Sequence, residues 1–415
     1  MMNSRERVLA AIAHQETDRC PIDFGGMRST GITAGACSRL HAHVGLAPSV
    51  FVYDVVQGLA QPQWELIERF GVDVLDLGRA WFTQSDEVRE WSLPDGAPAT
   101  APAWFDPEPD GRGGWLVRGD EGQIIGVMPA GQPYITQTYW PLADEVAGLS
   151  GASLADLPYH MQQVTWSRLG CAPWHPGLEE GRWAQMRTRA MALRDSTDKA
   201  IMCAFGGNLL EWSQFLRGFG QFLEDLACRP QDAHRLLDAL TELHLAGLDK
   251  FLDAVGDVVH IVQMGDDLGT QYGPQVSPAM YREFFLPRHK QIYSRVKQRS
   301  GLKVFLHSCG GLHGLIPSLI EAGVEILNPV QTAARNMEPQ RLKREFGRDL
   351  TFWGGGCETQ SLLVNGTPEQ VAQQVRERIA VFSEGGGYVF NQVHNILGDV
   401  PPENVMAMFE AAQRV

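Results

Sequence analysis

The chain has 415 residues, 44% hydrophobic and 20% charged, which suits a soluble globular protein built as one large α/β barrel or as two domains. A formal net charge of −14 with no Lys/Arg-rich run argues against a nucleic-acid surface, and no apolar run approaches the length that would cross a membrane. Seven cysteines, odd in number and scattered singly, suggest a reducing compartment; with an N-terminus that leads into an amphipathic helix and not a signal peptide, the expected location is cytoplasmic.

Taken in chain order, Ser4 is placed to cap a helix that carries Val8, Leu9 and Ile12 on one face and ends near His14. Residues 18–26, with Pro21, Ile22 and Phe24 before Gly25 and Gly26, read as a short strand and a glycine turn. A helix near 61–70 leads to a second strand over 72–78. Between Trp81 and Trp140 proline, glycine and aspartate are dense, and short strands are expected at 115–118, 123–128 and 134–138. This stretch, 81–140, reads as a β-rich insertion forming a flap. Residues 142–181 are irregular and punctuated by proline.

From Arg182 the alternation is regular. A helix to about 195 precedes a strand at 200–206, and helical stretches over 209–255 precede one at 260–265. A helix over 277–299, opened by Ser277-Pro278, leads to the strand at 303–307. Further strands at 325–328, 350–354 and 388–391 are separated by helices at 315–322, 338–346 and 367–383, the last opened by Thr367-Pro368-Glu369-Gln370. A helix over 402–414 closes the chain. Eight short apolar strands separated by helices predict an α/β fold, a (β/α)8 TIM barrel, as a single domain over 1–415 with the β-rich insertion over its C-terminal mouth. A doubly wound sheet is the main competitor, but no G-x-G-x-x-G opens a helix after the first strand.

The stretch Phe305-Leu306-His307-Ser308-Cys309-Gly310-Gly311 runs a buried strand into two metal-ligating residue types and then a turn. Strand side chains alternate, so His307 and Cys309 point to one side. In a barrel of this kind chemistry sits at the C-terminal strand ends. His307, Cys309 and Cys357, which follows Gly354-Gly355-Gly356, therefore reach one rim, with His394 a further candidate past the last strand. The competing readings are a buried histidine with unreactive thiols, or a Cys309–Cys357 disulfide. The same rim carries Asp266 and Asp267, Asn328 and Gln331, and Glu358; for Asp266 a turn or capping role is preferred. Soft thiolates with imidazole favour zinc, and a sulfur-rich zinc with an open position keeps a bound thiol as its nucleophilic thiolate. Alkyl transfer to sulfur fits that ligand set better than hydrolysis.

These residues also carry a resemblance. Arg5-Glu6-Arg7-Val8, Asp18-Arg19-Cys20-Pro21, Gly265-Asp266-Asp267-Leu268-Gly269 and His307-Ser308-Cys309-Gly310 resemble the uroporphyrinogen decarboxylase superfamily, and more closely its methyltransferase-like branch serving corrinoid proteins. Ile326-Leu327-Asn328-Pro329, Trp353-Gly354-Gly355-Gly356-Cys357-Glu358 and His394-Asn395-Ile396 complete the match. The resemblance implies a (β/α)8 barrel and, for the thiol methyltransferases of the branch, zinc held by His-x-Cys and a later cysteine. Here the later position after the last strand holds His394, and Cys357 lies one strand earlier. Either Cys357 rebuilds the site, or His394 replaces the cysteine, or both coordinate.

The expected activity is zinc-dependent transfer of a methyl group between a corrinoid, such as methylcobalamin or a corrinoid protein, and a small acceptor, a thiol. The corrinoid would sit on a separate protein, because no corrinoid-binding histidine motif is present in this chain. Asp267 and Gln331 are the expected catalytic, acceptor-orienting residues, and Arg28, Asn328 and Glu358 the expected substrate-binding ones. The true decarboxylases carry an arginine-rich segment after the first strand, where this chain has Arg28 alone in Gly25-Gly26-Met27-Arg28. A metal-independent decarboxylase using Asp267 and Arg28 is the runner-up, and a binding protein without turnover is the third reading.

Overall fold

Runs such as Ile201-Met202-Cys203 and Val304-Phe305-Leu306 are apolar at every position, which suits strands covered on both faces. In the computed structural model, which describes residues 1–145, 149 and 151–414, these runs become β1 (Val74–Asp76), β2 (Ala200–Gly206), β3 (Ile261–Gly265), β4 (Lys303–His307), β5 (Ile326–Asn328), β6 (Thr351–Trp353) and β7 (Tyr388–Val389). They form one seven-stranded sheet in sequence order, every pairing parallel. The sheet is curled on itself. Val74, Met202, Ile261, Phe305, Ile326, Trp353 and Val389, one from each strand, share a single buried cluster with Val8, Ala11 and Ile12 of α1 (Ser4–Ile12). Helix α1 thus stops one end of the curl with its apolar face. Its cap is Asn3, in a capping box with Glu6, so the helix starts at Ser4 and is not capped by it.

The expected first strand is a single isolated bridge, Ile22 to Phe390. Two features keep it that short. Pro21 has no N–H to give, and the Ile22 N–H donates to the Asp73 carboxylate at 2.9 Å and not to a strand carbonyl. The segment still spans the gap between the sheet edges. Asp23 N donates to Phe390 O, Phe390 N to Pro21 O, and Asp73 N to Ile22 O, at 2.8–2.9 Å. Asp73, fully buried, also receives both Arg7 and Arg19. One carboxylate therefore ties α1, the bridging segment and the start of β1 together.

The remaining strands lie outside the curled sheet and pair antiparallel, except that Val50–Asp54 and Pro98–Pro102 pair in parallel. Ile32–Thr33, Leu59–Ala60, Val50–Asp54, Pro98–Pro102 and Val88–Ser92 make one sheet; Thr136–Gln137, Ile124–Met128, Trp115–Arg118 and Glu108–Pro109 make another. Trp115–Arg118 falls where alternation predicts it. The helix Ala34–Val44 and the strands over 50–60, 88–92 and 98–102 are not read from the sequence; small residues dominate the helix, and prolines begin and end the strand Pro98–Pro102. Ile135 N donates to Val56 O, the Gln137 amide to Phe215 O, and Leu142 N to Leu216 O. Residue 56 and residues 215–216 lie in the connections that leave the bridging segment and β2 at their C-terminal ends. Within the stretch 142–181 short helices occupy Leu157–Gln162 and Thr165–Arg168; residues 146–148 and 150 of it, and the last residue of the expected 1–415 domain, lie outside the described residues. Among the described residues no helix is long and apolar enough to cross a membrane.

Candidate functional site

Phe305 faces the inside of the curl, so His307, two residues on, faces its open end at the end of β4. The imidazole is held from behind. Asn328, buried at the end of β5, gives its amide N–H to Trp353 O at 2.9 Å, and this fixes which end of the amide faces the histidine. Asn328 Oδ1 then accepts from His307 Nδ1 at 2.6 Å. Nδ1 carries the proton, and the Nε2 lone pair is left facing the opening. There it meets Cys309 Sγ at 3.5 Å, Ser29 Oγ at 3.3 Å and Asp267 Oδ1 at 3.7 Å.

His394 completes the group. Its ring lies 5.8 Å from that of His307, and one donor atom from each of His307, Cys309 and His394 falls within 4.8 Å of the others. Burial, with His307 close by, pushes the His394 imidazole down to about 4, so it is neutral at pH 7 and its nitrogens can coordinate. Burial pushes the Cys309 thiol well above its ordinary value, and Asp267 and Glu211 add to that. Only a cation would make this sulfur a thiolate. Two imidazoles and a buried thiol fit a zinc-type ion, and Asn328 supplies the outer support such ligands need.

The loops around this group are mutually braced. Asp267 Oδ1 accepts the Cys309 N–H at 2.8 Å, and the Asp267 N–H donates to Glu211 Oε2 at 3.0 Å. Gln331 Oε1 accepts the Gly310 N–H at 2.9 Å. Gly310 sits at φ +90°, where a Cβ would come within 2.5 Å of the Gly269 backbone, so the turn after Cys309 admits only glycine. Asp266 accepts the N–H groups of Leu209, Leu210 and Glu211 and is a helix cap, as preferred. Glu211 is held above the carboxylate range by burial and by Asp267 and Asp266.

The expected residues thus separate into two sets. His307, Cys309, His394, Asp267, Asn328 and Gln331 come together, with Asn328 behind the histidine and not facing a substrate. Cys357 does not join them. It is fully buried, its Sγ 3.9 Å from Glu358 O, and its thiol is pushed up to about 12 by burial and by Glu358. The cause is local packing: Gly356 lies against the Phe390 ring, Gly356 N donates to Asn391 O and Val393 N to Cys357 O, so the turn is sewn into the next loop with the thiol turned inward. Of the alternatives for the third ligand, the geometry favours His394.

Glu358 is engaged by Gln360 N, Ser361 N, Ser361 Oγ and Leu362 N, a turn-capping arrangement; burial pushes its carboxyl up, but these bonds leave it below its ordinary range. Arg28 lies beside the group, with its guanidinium 4.0 Å from Asp54 and over the Trp166 ring at 5.6 Å. Ser29 and Glu211 are not found by sequence reasoning. Ser29 follows Arg28 in the turn after Gly25-Gly26, the one signal that pointed there.

The sequence profile for uroporphyrinogen decarboxylase (URO-D) matches residues 198–415. A uroporphyrinogen decarboxylase of Coxiella burnetii (strain RSA 493 / Nine Mile phase I) is 29% identical over 189 residues, covering 45% of this chain and 48% of its own length. A methylated-thiol–coenzyme M methyltransferase of Methanosarcina mazei is 28% identical over 150 residues, 36% of this chain and 37% of its own length. The chain therefore spans about half, or less, of the length of these curated relatives. A solved methyltransferase structure from Methanosarcina mazei shares the fold, with TM-score 0.58 at 16% identity, over 100% of this chain and 99% of that one.

Proposed function

The chain belongs to the uroporphyrinogen decarboxylase family, and within it we propose a zinc-dependent methyltransferase that moves a methyl group from a corrinoid to a small thiol. The convergence of His307, Cys309 and His394, with the tautomer of His307 set by Asn328, carries this reading. It is supported by the methyltransferase relative and by the shared fold. In it the curled sheet is a (β/α)8 barrel whose first position is residues 21–23, the chain is one catalytic domain working in the cytoplasm, and residues 81–140 form a flap over the C-terminal mouth. The corrinoid is carried by a separate protein.

Zinc, when bound by His307, Cys309 and His394, supplies a Lewis acid that keeps a thiol deprotonated near neutral pH. The chain supplies position. Asn328 holds the His307 ring, Asp267 holds Cys309 through its backbone N–H, and Gln331 holds the glycine turn. These contacts leave the donor atoms aimed at one point before any substrate arrives. Arg28 is placed to pair with an anionic group on the acceptor. In the overall transfer the acceptor thiol loses its proton to solvent and a sulfur–carbon bond forms. The cobalt–carbon bond breaks with its electron pair left on cobalt, so the balance needs no oxidant or reductant.

The test is to purify the protein without added metal, measure zinc per chain, and mix the zinc-loaded protein with methylcobalamin and a panel of thiols. About one zinc per chain and thiol-dependent loss of the methylcobalamin spectrum are expected. Turnover with tetrahydrofolate alone would keep methyl transfer but discard the thiol acceptor. A decarboxylase reading is favoured by Arg28 and by the relatives of that name; release of carbon dioxide from a carboxylated substrate by the metal-free protein would establish it instead.

A further inference from the structure

Strand β1 repeats the register that brings His307 to the opening. Val74 faces the inside of the curl, so Asp76, two residues on, faces its open end. One Asp76 oxygen accepts the Gly78 N–H at 2.6 Å and caps the turn Leu77–Ala80. The other has no partner among the described residues, and the carboxylate makes no ion pair there. Burial pushes this carboxyl up to about 6, against the pull of the Gly78 N–H, Arg28 and Arg79. Arg79 is spent elsewhere: it donates to Pro62 O and lies over the Trp64 ring at 5.0 Å. A carboxylate taken out of water without a cation costs stability, and such groups collect at sites where a ligand supplies the missing charge. Arg28 reaches the same place from the turn after Gly25-Gly26. That turn lies on β1, since a Cβ at Gly26 would meet Val74 Cγ1 at 2.9 Å. Arg28 makes no hydrogen bond among the described residues. Its ion pair with Asp54 is 4.0 Å long, and Asp54 already accepts from Val56 N, Gln57 N and the Gln57 amide. Tyr53 holds a buried hydroxyl without a partner, close enough to Asp76 and Arg28 for both to act on its ionisation. Ser29, the residue after Arg28, lies 3.3 Å from His307 Nε2. A carboxylate, a guanidinium and a phenol, each with bonding capacity unused, thus stand beside the candidate metal ligands.

We propose that this group receives the polar end of the methyl acceptor, and that the acceptor is an α-amino-acid thiol. Its ammonium donates to the free oxygen of Asp76, and its carboxylate accepts from Arg28 and Tyr53. Its sulfur then reaches the metal ligands. The inference rests on the methyl-transfer reading and adds to it the class of acceptor. Opposite charges that face one opening without bonding each other match a ligand that carries an ammonium and a carboxylate on one carbon. A purely acidic thiol would be held by Arg28 but repelled by Asp76, and a purely basic one the reverse. Asp76 is ionised near neutral pH, as an ammonium partner must be.

The experiment uses the zinc-loaded full chain and small thiols sorted by charge, with binding read by calorimetry and turnover with methylcobalamin read separately. L-cysteine and L-homocysteine carry both charges, cysteamine the ammonium alone, 3-mercaptopropionate the carboxylate alone, and 2-mercaptoethanol neither. A thiol with both charges should bind about tenfold or more tighter than any of the others. Asp76→Asn keeps the oxygen that caps Gly78, and should weaken the amino-acid thiols and cysteamine about tenfold relative to 3-mercaptopropionate. Arg28→Gln should weaken the amino-acid thiols and 3-mercaptopropionate about tenfold relative to cysteamine. A misfolded variant would weaken every thiol alike, so these ratios read the charges and not the fold. Equal affinity of the wild type for all five thiols, or ratios that neither variant changes, would overturn the inference. Amino-acid thiol binding that depends on Asp76 and Arg28, without any methyl transfer, would leave the inference standing and discard the methyltransferase reading. Methyl transfer to 2-mercaptoethanol as readily as to either amino-acid thiol would do the reverse.

Discussion

With the Trp353 carbonyl taking its amide N–H, Asn328 can only accept from His307, so a single buried side chain decides which imidazole nitrogen faces the opening. Replacing Asn328 by Leu keeps the volume but frees the ring to rotate and take the other tautomer. Zinc affinity should fall by roughly 10–100-fold, as for other outer-shell partners, measured by competition with a chromogenic chelator. His394→Ala should lower zinc content below one per chain, whereas Cys357→Ala should leave it intact. Reduced zinc in Cys357→Ala with full occupancy in His394→Ala would reverse that assignment. The difference between these two residues also marks what a sequence can show. His-x-Cys is legible because period two forces both side chains to one side of β4. The direction of the Cys357 thiol depends on Gly356 lying against Phe390, a contact between distant segments that no local pattern encodes.

At the scale of elements, the structure leans on a few carboxylates that join segments far apart in sequence. Arg7 donates to both Asp18 and Asp73, and Arg19 to Asp73, so α1, the bridging segment and the start of β1 are held as one unit. Arg7→Ala would leave the fully buried Asp73 with one cation, and a cost on the order of 3 kcal/mol is expected from urea unfolding. The Arg7 hydrogen bond pulls the Asp18 carboxyl down to about 2. A lowered folded value means this stabilisation is fully present above the unfolded value of about 4 and is lost as pH falls toward 2. The stability difference between wild type and Asp18→Asn should therefore be constant from pH 7 to about 5, shrink as pH falls further, and vanish below about pH 2. A difference that stays at its neutral-pH size down to pH 2 would show that the pair acts by packing and not by charge. The strands β1 to β7 were legible from apolar runs bounded by glycine and helix signals. The bridging segment was legible in position only, because its bonds go to the Asp73 side chain and to Phe390, not to a regular ladder.

For the whole molecule the governing relation is between the curled sheet and the antiparallel segments that attach at its C-terminal side. Sequence alone predicts their β character over 115–118, since alternation is local. It does not predict their anchorage, which runs through single bonds from Ile135 to Val56 and from Gln137 to Phe215. The second of these bonds ends on the helix Leu210–Arg217, which leaves β2 at its C-terminal end. A corrinoid donor at the mouth, in the proposed function, would bear on this helix and hence on the strand Thr136–Gln137, whose partner strand Ile124–Met128 pairs in turn with Trp115–Arg118. If residues 81–140 act as a flap, filling the mouth should slow local opening of the strand that touches it. Adding hydroxocobalamin to the zinc-loaded protein should then protect the backbone amides of 135–138 from hydrogen exchange, with a smaller effect over 115–118. The strand Val88–Ser92, in the other, mixed sheet, should not respond. Protection confined to the loops after β4 and β7, with 135–138 unchanged at saturating cobalamin, would show that the donor binds without engaging these segments and would remove the flap. Protection that spreads from 135–138 to Leu142, which donates to Leu216 on the same helix, would extend the flap's hinge to that bond.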